Sequence, residues 1–240
     1  MKLVTLGTSH GVPEKDRFCS CNLIETGGGL YVFDAGAPLA DLLTRGGYRF
    51  SDVKAVFITH SHADHICGIG GFVSLCNWYY KDSAVKFFLP GAAAADYAKS
   101  LSSGVSEPQL SDRLEFYVYG DGEVYRDENI SVTACKSGHT ADSHSFFIEA
   151  EGKRALITGD LDPGYASLTQ RAFSERTVFT LIECAHQSRQ AVLETFSKIN
   201  ADKLLVTHVG YIVSHEELKK IKSESGIDFT VVDDGDAFAF

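Results

Sequence analysis

Two hydrophobic patterns alternate along the chain. One is a short apolar run rich in valine, isoleucine, leucine and phenylalanine, bounded by glycine or polar residues. The other is a longer stretch in which apolar residues return every three or four positions. The first predicts strands over 2–6, 21–25, 30–34, 54–59, 85–89, 114–119, 130–135, 144–149, 154–158, 178–182, 203–207 and 228–232. The second predicts helices over 38–46, 65–78, 91–101, 165–175, 188–199 and 214–224. Ser214, followed three residues later by Glu217, marks the start of the last helix by a capping pair. Gly27-Gly28-Gly29 reads as a hairpin turn between two strands. No Pro/Ser-rich linker divides the chain and no short tandem repeat is visible. Strands, a helical segment and strands again predict an α/β fold of two sheets packed face to face with helices outside, as one domain over 1–240.

Polar residues interrupt this pattern where the strands end. His60-Ser61-His62-Ala63-Asp64-His65 directly follows the apolar run 56–59. Three imidazoles and a carboxylate on one turn need partners, and those donors suit zinc and neighbouring first-row metals. A solvated histidine-rich loop is the alternative. Asp34 ends Tyr31-Val32-Phe33, Asp160 ends Leu156-Ile157-Thr158-Gly159, His139 sits in Ser137-Gly138-His139-Thr140, and His208 follows Leu205-Val206-Thr207. In layered α/β folds functional residues collect on such strand-end loops, so these positions are expected to converge.

The net charge of −10 argues against a broad basic face for phosphate backbones, and so against bulk nucleic-acid binding. It leaves room for a short nucleotide substrate. No apolar stretch reaches the roughly 18 residues of a transmembrane helix, which predicts no membrane partner. The N-terminus reads as a strand entering a glycine loop rather than a signal peptide, so a cytoplasmic location is expected. The six cysteines then read as small buried residues. Cys19-Ser20-Cys21 is the one close pair; a structural zinc there would need two more ligands, with His215 a distant candidate.

His60-x-His62-x-Asp64-His65, with Asp34, His139, Asp160 and His208 in order around it, resembles the signature of the metallo-β-lactamase superfamily. Within it, four segments are similar to the ribonuclease Z and phosphodiesterase branch. They are the opening Leu6-Gly7-Thr8-Ser9-His10-Gly11-Val12-Pro13 with Arg17 and Ser20 after it, Asp64-His65-Ile66-Cys67-Gly68-Ile69, Thr158-Gly159-Asp160, and Val232-Asp233-Asp234-Gly235. Two departures stand out. Only twenty residues separate His139 from Asp160, with no glycine/proline/basic insert of the kind that grips tRNA. The His-Ser-Thr loop is missing as such, and His186-Gln187-Ser188-Arg189 occupies the corresponding place.

The resemblance implies a four-layer αββα sandwich and two divalent metal ions, zinc foremost, with manganese or iron as alternatives. It implies one metal on His60, His62 and His139, a second on Asp64, His65 and His208, and Asp160 bridging them. Asp34 would support the ligands by hydrogen bonds, with a turn-capping aspartate as the alternative reading. Two such cations can share a hydroxide and polarise a phosphoryl oxygen. Asp64 is then a candidate base beside the nucleophile and His186 a candidate general acid, with a structural histidine as the alternative reading of His186. The expected activity is hydrolysis of a small or nucleotide-like phosphodiester by metal-bound hydroxide. The alternatives are tRNA 3′ processing of the ribonuclease Z type, or hydrolysis of a lactone, thioester or β-lactam on the same metals. Iron-dependent redox chemistry and a non-catalytic metal module rank last. A homodimer is the expected assembly. Thr8, Ser9 and His10 lie in a loop whose backbone N–H groups could meet a phosphate, though a plain turn is favoured. Trp78-Tyr79-Tyr80-Lys81 reads as core and rim rather than a substrate lip, and His144 as structural.

Overall fold

Alternating valine, leucine and phenylalanine put side chains on both faces of each strand, so each sheet must be covered on both sides. The computed structural model describes residues 1–12, 14–100 and 110–240. Pro13 of the opening glycine loop and the last residue of the helix predicted over 91–101 lie outside them. Among the described residues the strands are β1 (Lys2–Gly7), β2 (Cys21–Thr26), β3 (Gly29–Phe33), β4 (Val53–Phe57), β5 (Val85–Leu89), β6 (Leu114–Val118) and β7 (Gly122–Arg126). They continue with β8 (Ile130–Lys136), β9 (His144–Ala150), β10 (Lys153–Ile157), β11 (Phe179–Glu183), β12 (Leu204–Thr207), β13 (Thr230–Val231) and β14 (Ala237–Ala239). The helices are α1 (Leu39–Arg45), α2 (Ala63–Ile66), α3 (Ile69–Trp78), α4 (Ala92–Ser100), α5 (Arg171–Ser174), α6 (Arg189–Phe196) and α7 (His215–Ser225).

Two seven-stranded sheets result, in the orders β14-β1-β2-β3-β4-β5-β6 and β13-β12-β11-β10-β9-β8-β7. Each is mixed: β3 to β6 run parallel, as do β10 to β13. Tyr31, Phe33, Phe57 and Phe88 of the first sheet meet Phe146, Ile148, Phe179 and Leu181 of the second in the central layer. The outer face of the first sheet carries α1, α3 and α4, and that of the second carries α5, α6 and α7. This is the four-layer αββα sandwich. No helix among the described residues is long and apolar enough to cross a membrane.

Several elements depart from the pattern reading. The helix predicted over 65–78 is broken into α2 and α3 at Gly68. Its N–H donates to the Ala35 carbonyl at 2.7 Å, and a Cβ there would lie 1.6 Å from the Ala37 oxygen. The helix predicted over 165–175 is a 3₁₀ turn at Pro163–Tyr165 and the single-turn α5. Edge strand β7 carries too few apolar residues to show as a run, β14 is only three residues long and β13 only two. The Gly27-Gly28 turn does join β2 to β3; both glycines have positive φ (57° and 80°), the geometry that suits a tight hairpin.

Candidate metal centre

The parallel strands β3, β4, β10 and β12 all end at one rim, and each is followed at once by residues of the predicted site. After β4, Thr59 and His60 continue into His62, whose extended backbone (φ −65°, ψ 145°) precedes the single turn of α2. That bend sends His60 and His62 to one side and Asp64 and His65 to the other. His139 follows β8, Asp160 follows β10 and His208 follows β12.

Two groups of donor atoms form, each with all its atoms within 4.8 Å of one another: His60, His62, His139 and Asp160, and Asp64, His65, Asp160 and His208. In the first, His62 Nδ1 lies 3.0 Å from His60 Nε2 and 3.1 Å from His139 Nε2. Asp160 Oδ2 is 3.8 Å from His60 Nε2 and 3.6 Å from His139 Nε2. In the second, Asp160 Oδ1 is 3.2 Å from His65 Nε2 and 3.3 Å from His208 Nε2. Asp64 Oδ2 is 3.5 Å and 3.6 Å from the same two nitrogens. The Asp160 carboxylate thus turns one oxygen to each group.

The donor set fits divalent cations. His65 Nε2 and Asp160 Oδ1 are buried without a hydrogen-bond partner, although buried polar atoms of this kind are nearly always satisfied. Burial and the neighbouring His65 charge drive His60 down to about 2, against the pull of Asp160, and burial also lowers His139. Both imidazoles are therefore neutral and able to ligate near pH 7. Burial works to raise Asp64, yet His65 and His208 outweigh it and hold the carboxyl at about 2. Asp160 lies well below its ordinary value for the same reason.

Asp34 supports this set from below. Its Oδ2 faces His65 Nδ1 at 2.8 Å and accepts the Thr59 hydroxyl at 3.0 Å, while Oδ1 accepts the Thr59 N–H at 2.7 Å. Ser20 Oγ lies 3.2 Å from His208 Nδ1. Both contacts leave the Nε2 atoms of His65 and His208 pointing into the cluster.

His186 stands at the edge of the first group, a third exposed, its ring 4.5 Å from that of His139. Its Nδ1 is 3.9 Å from Asp160 Oδ2 and 3.4 Å from Glu183 Oε2, and Glu183 raises the imidazole above its ordinary range despite partial burial. Glu183 is a residue to which the sequence reading gave no role. It sits buried at the end of β11, with Oε1 accepting Gln187 Nε2 at 2.6 Å. Its signal was a lone carboxylate closing an apolar run.

Other positions fall outside the cluster. Cys19 and Cys21 join neither donor group, and His215 is taken by Arg17, whose Nη1 lies 2.6 Å from Nε2. The Thr8 hydroxyl donates to Asp234, between β13 and β14, and that of Ser9 to the Val12 carbonyl of its own loop, so both are engaged within the protein. His144 Nδ1 is 2.9 Å from the Asp142 carbonyl, a structural contact. Trp78, Tyr79 and Tyr80 are exposed, and the ten residues of α3 carry them roughly 15 Å away from the His run. A cavity of about 810 Å³ lies at another rim. Its Arg126, Arg154 and Arg176 already pair with Glu123, Glu149 and Asp202.

The family profile described as "Anti-Pycsar protein Apyc1" matches residues 1–215. A ribonuclease Z of Nitrosopumilus maritimus is 30% identical over 156 residues, covering 64% of this chain and 50% of that protein. This chain spans about half the length of the curated relatives it matches. Among solved structures, the metallo-beta-lactamase fold protein YhfI from Bacillus subtilis superposes with a TM-score of 0.79 at 19% identity, covering 99% of this chain and 98% of that one. A diphosphatase from the PhnP family gives 0.74 at 15% identity, covering 100% and 97%. On a metallo-β-lactamase fold, with one profile spanning most of its length, the chain belongs to the anti-Pycsar protein Apyc1 family.

Proposed function

We propose that the chain is a metal-dependent phosphodiesterase with a dinuclear centre, acting on a small or nucleotide-like diester. The observation that carries this is Asp160, buried between two donor groups with one oxygen toward each. His60, His62 and His139 would hold one divalent cation and Asp64, His65 and His208 the other, zinc foremost, with manganese or iron compatible with the same donors. Such a pair, if bound, would polarise a phosphoryl oxygen and lower the pKa of water.

The chain's own residues supply the rest. Asp64, held at about 2, is anionic at neutral pH and can accept a hydrogen bond from the attacking water. His186, held above its ordinary range by Glu183 and a third exposed, would give a proton to the leaving oxygen. Asp34 fixes the ring of His65.

Metal analysis of the purified chain, followed by assays with the same metal, tests the reading. Two ions per chain and turnover of bis(p-nitrophenyl) phosphate, but not of nitrocefin or a lactone, are expected. The reverse substrate pattern sinks it. His186→Ala should lower kcat by about 10²-fold or more for a diester with an alkyl leaving group and far less for p-nitrophenoxide, which needs no proton.

Endoribonuclease action on tRNA is the second reading, favoured by the relatives named ribonuclease Z. Against it, the interval from His139 to Asp160 holds only a turn and the β9–β10 hairpin. Cleavage of a precursor tRNA at rates above those for small diesters would favour it.

A further inference from the structure

The two donor groups are supported unequally. In the inner group, His65 and His208 each have a second nitrogen in contact with a buried protein oxygen, of Asp34 and Ser20. Among the described residues of the outer group, His60 alone has such support, from the Thr59 hydroxyl at 3.1 Å. His62 is exposed, and neither its Nε2 nor His139 Nδ1 has a hydrogen-bond partner among the described residues. The rings of His62 and His139 must therefore be placed by the backbones that carry them.

Those backbones are tied together by one side chain. Asp142 Oδ2 accepts the hydroxyl of Ser61, which lies between His60 and His62. Asp142 Oδ1 accepts the hydroxyl of Thr140 at 2.6 Å, and Thr140 adjoins His139. The Thr140 N–H donates to Ser143 Oγ at 2.6 Å, closing the turn. A backbone bond also joins the loops, from the His144 N–H to the Thr59 carbonyl at 3.0 Å. A carboxylate 81 residues away from Ser61 thus spans the two loops that supply all three outer histidines.

We propose that Asp142 is a positioning residue for the outer cation: through Ser61 and Thr140 it sets the separation of His60 and His62 from His139, and the outer ion depends on it while the inner ion does not. The inference rests on the dinuclear reading above. Support of this kind around a metal typically changes affinity ten- to a hundredfold.

Calorimetric titration of the metal-stripped chain with Zn²⁺ tests it, with thermal unfolding recorded for each variant. His62→Ala identifies the outer transition as the one it abolishes. Asp142→Ala should weaken that transition ten- to a hundredfold and leave the inner one within about twofold. Ser61→Ala, at an exposed position outside the core, should weaken it in the same sense and stands in should Asp142→Ala fail to fold. Asp142→Asn can accept the Ser61 hydroxyl and donate to Thr140, so it should stay within about fivefold of wild type. Cobalt(II) absorption should show the same loss of one site. The inference is overturned if Asp142→Ala, or Ser61→Ala in its place, leaves both transitions unchanged or weakens both equally. It is also overturned if Asp142→Asn loses as much as Asp142→Ala, since the effect would then be one of charge alone. A wild-type chain that takes up fewer than two ions overturns the dinuclear reading itself, and the inference with it.

Discussion

Asp34 and His208 both adopt the left-handed backbone region, with φ of 63° and 52°. Neither is glycine, and such a conformation costs about 1–3 kcal/mol at a side-chain-bearing residue. Local bonds hold each in place: the Asp34 N–H donates to the Phe57 carbonyl at 2.8 Å, and the His208 N–H to the Thr8 carbonyl at 3.0 Å. The strain turns both side chains toward the cluster rather than along their strands. Asp34 also satisfies the buried Thr59 N–H and faces His65 Nδ1. Asp34→Ala should therefore lower stability by about 3 kcal/mol, by leaving a buried donor unpaired, and weaken the inner metal ten- to a hundredfold. Denaturant unfolding and competition with a chelator measure the two effects separately. At this scale the sequence was informative about ligand chemistry, because imidazoles and carboxylates at the ends of apolar runs are conspicuous. It was silent on Glu183 and Asp142, whose partners are assembled by turns that no hydrophobic pattern records.

Elements read well where their pattern was strong and badly where it was not. The central strands, buried on both faces, appeared as dense apolar runs within a residue or two of their actual ends. The break between α2 and α3 did not, because the apolar spacing from His65 to Trp78 is continuous across it. What ends α2 is a tertiary contact: Gly68 lies against the backbone of 35–37, the loop that leaves β3. Gly68→Ala would drive a Cβ into the Ala37 carbonyl, and the loop bearing Asp34 would have to move. A loss of about 3 kcal/mol or more is expected from such overpacking, with weaker metal binding alongside. Substitution of Gly71, where a Cβ meets nothing within 4 Å, should cost little or improve the helix. Chemical denaturation of the two variants side by side checks the contrast.

For the whole molecule, what matters is that two sheets, built from different halves of the chain save for β14, share one rim. Asp127 helps fix their relation. Its Oδ2 accepts Tyr31 of β3 at 2.6 Å and Tyr125 of β7 at 2.8 Å, and its Oδ1 accepts the N–H groups of Asn129 and Ile130. Burial works to raise this carboxyl, but the bonds from Tyr31, Asn129, Tyr125 and Ile130 outweigh it and the value lies below the ordinary 3.8. A depressed folded-state pKa stabilises at pH above the unfolded value, and that stability fades as pH falls through the folded value. Asp127→Asn should thus be less stable than wild type at pH 7, by about 1–2 kcal/mol at this partly exposed site, with the gap closing below about pH 4. Unfolding curves recorded from pH 7 to pH 3 check the sign.

The sequence by itself determined the layer pattern and the ligand chemistry. Strand periodicity fixes which faces must be covered, and the residue types at strand ends fix which donors are on offer. That His60 and His62 stand apart from Asp64 and His65 was implied only by the family resemblance; in the structure the extended backbone of His62 precedes the turn of α2. Only the tertiary structure decided that Asp160 lies between both groups, that Glu183 faces His186, and that Asp142 joins the loops of His60 and His139. Those relations link residues of different strands and loops. They depend on how β4, β8, β10 and β11 are ordered and registered across two sheets, and that order is set by packing of the whole core rather than by any local run of residues.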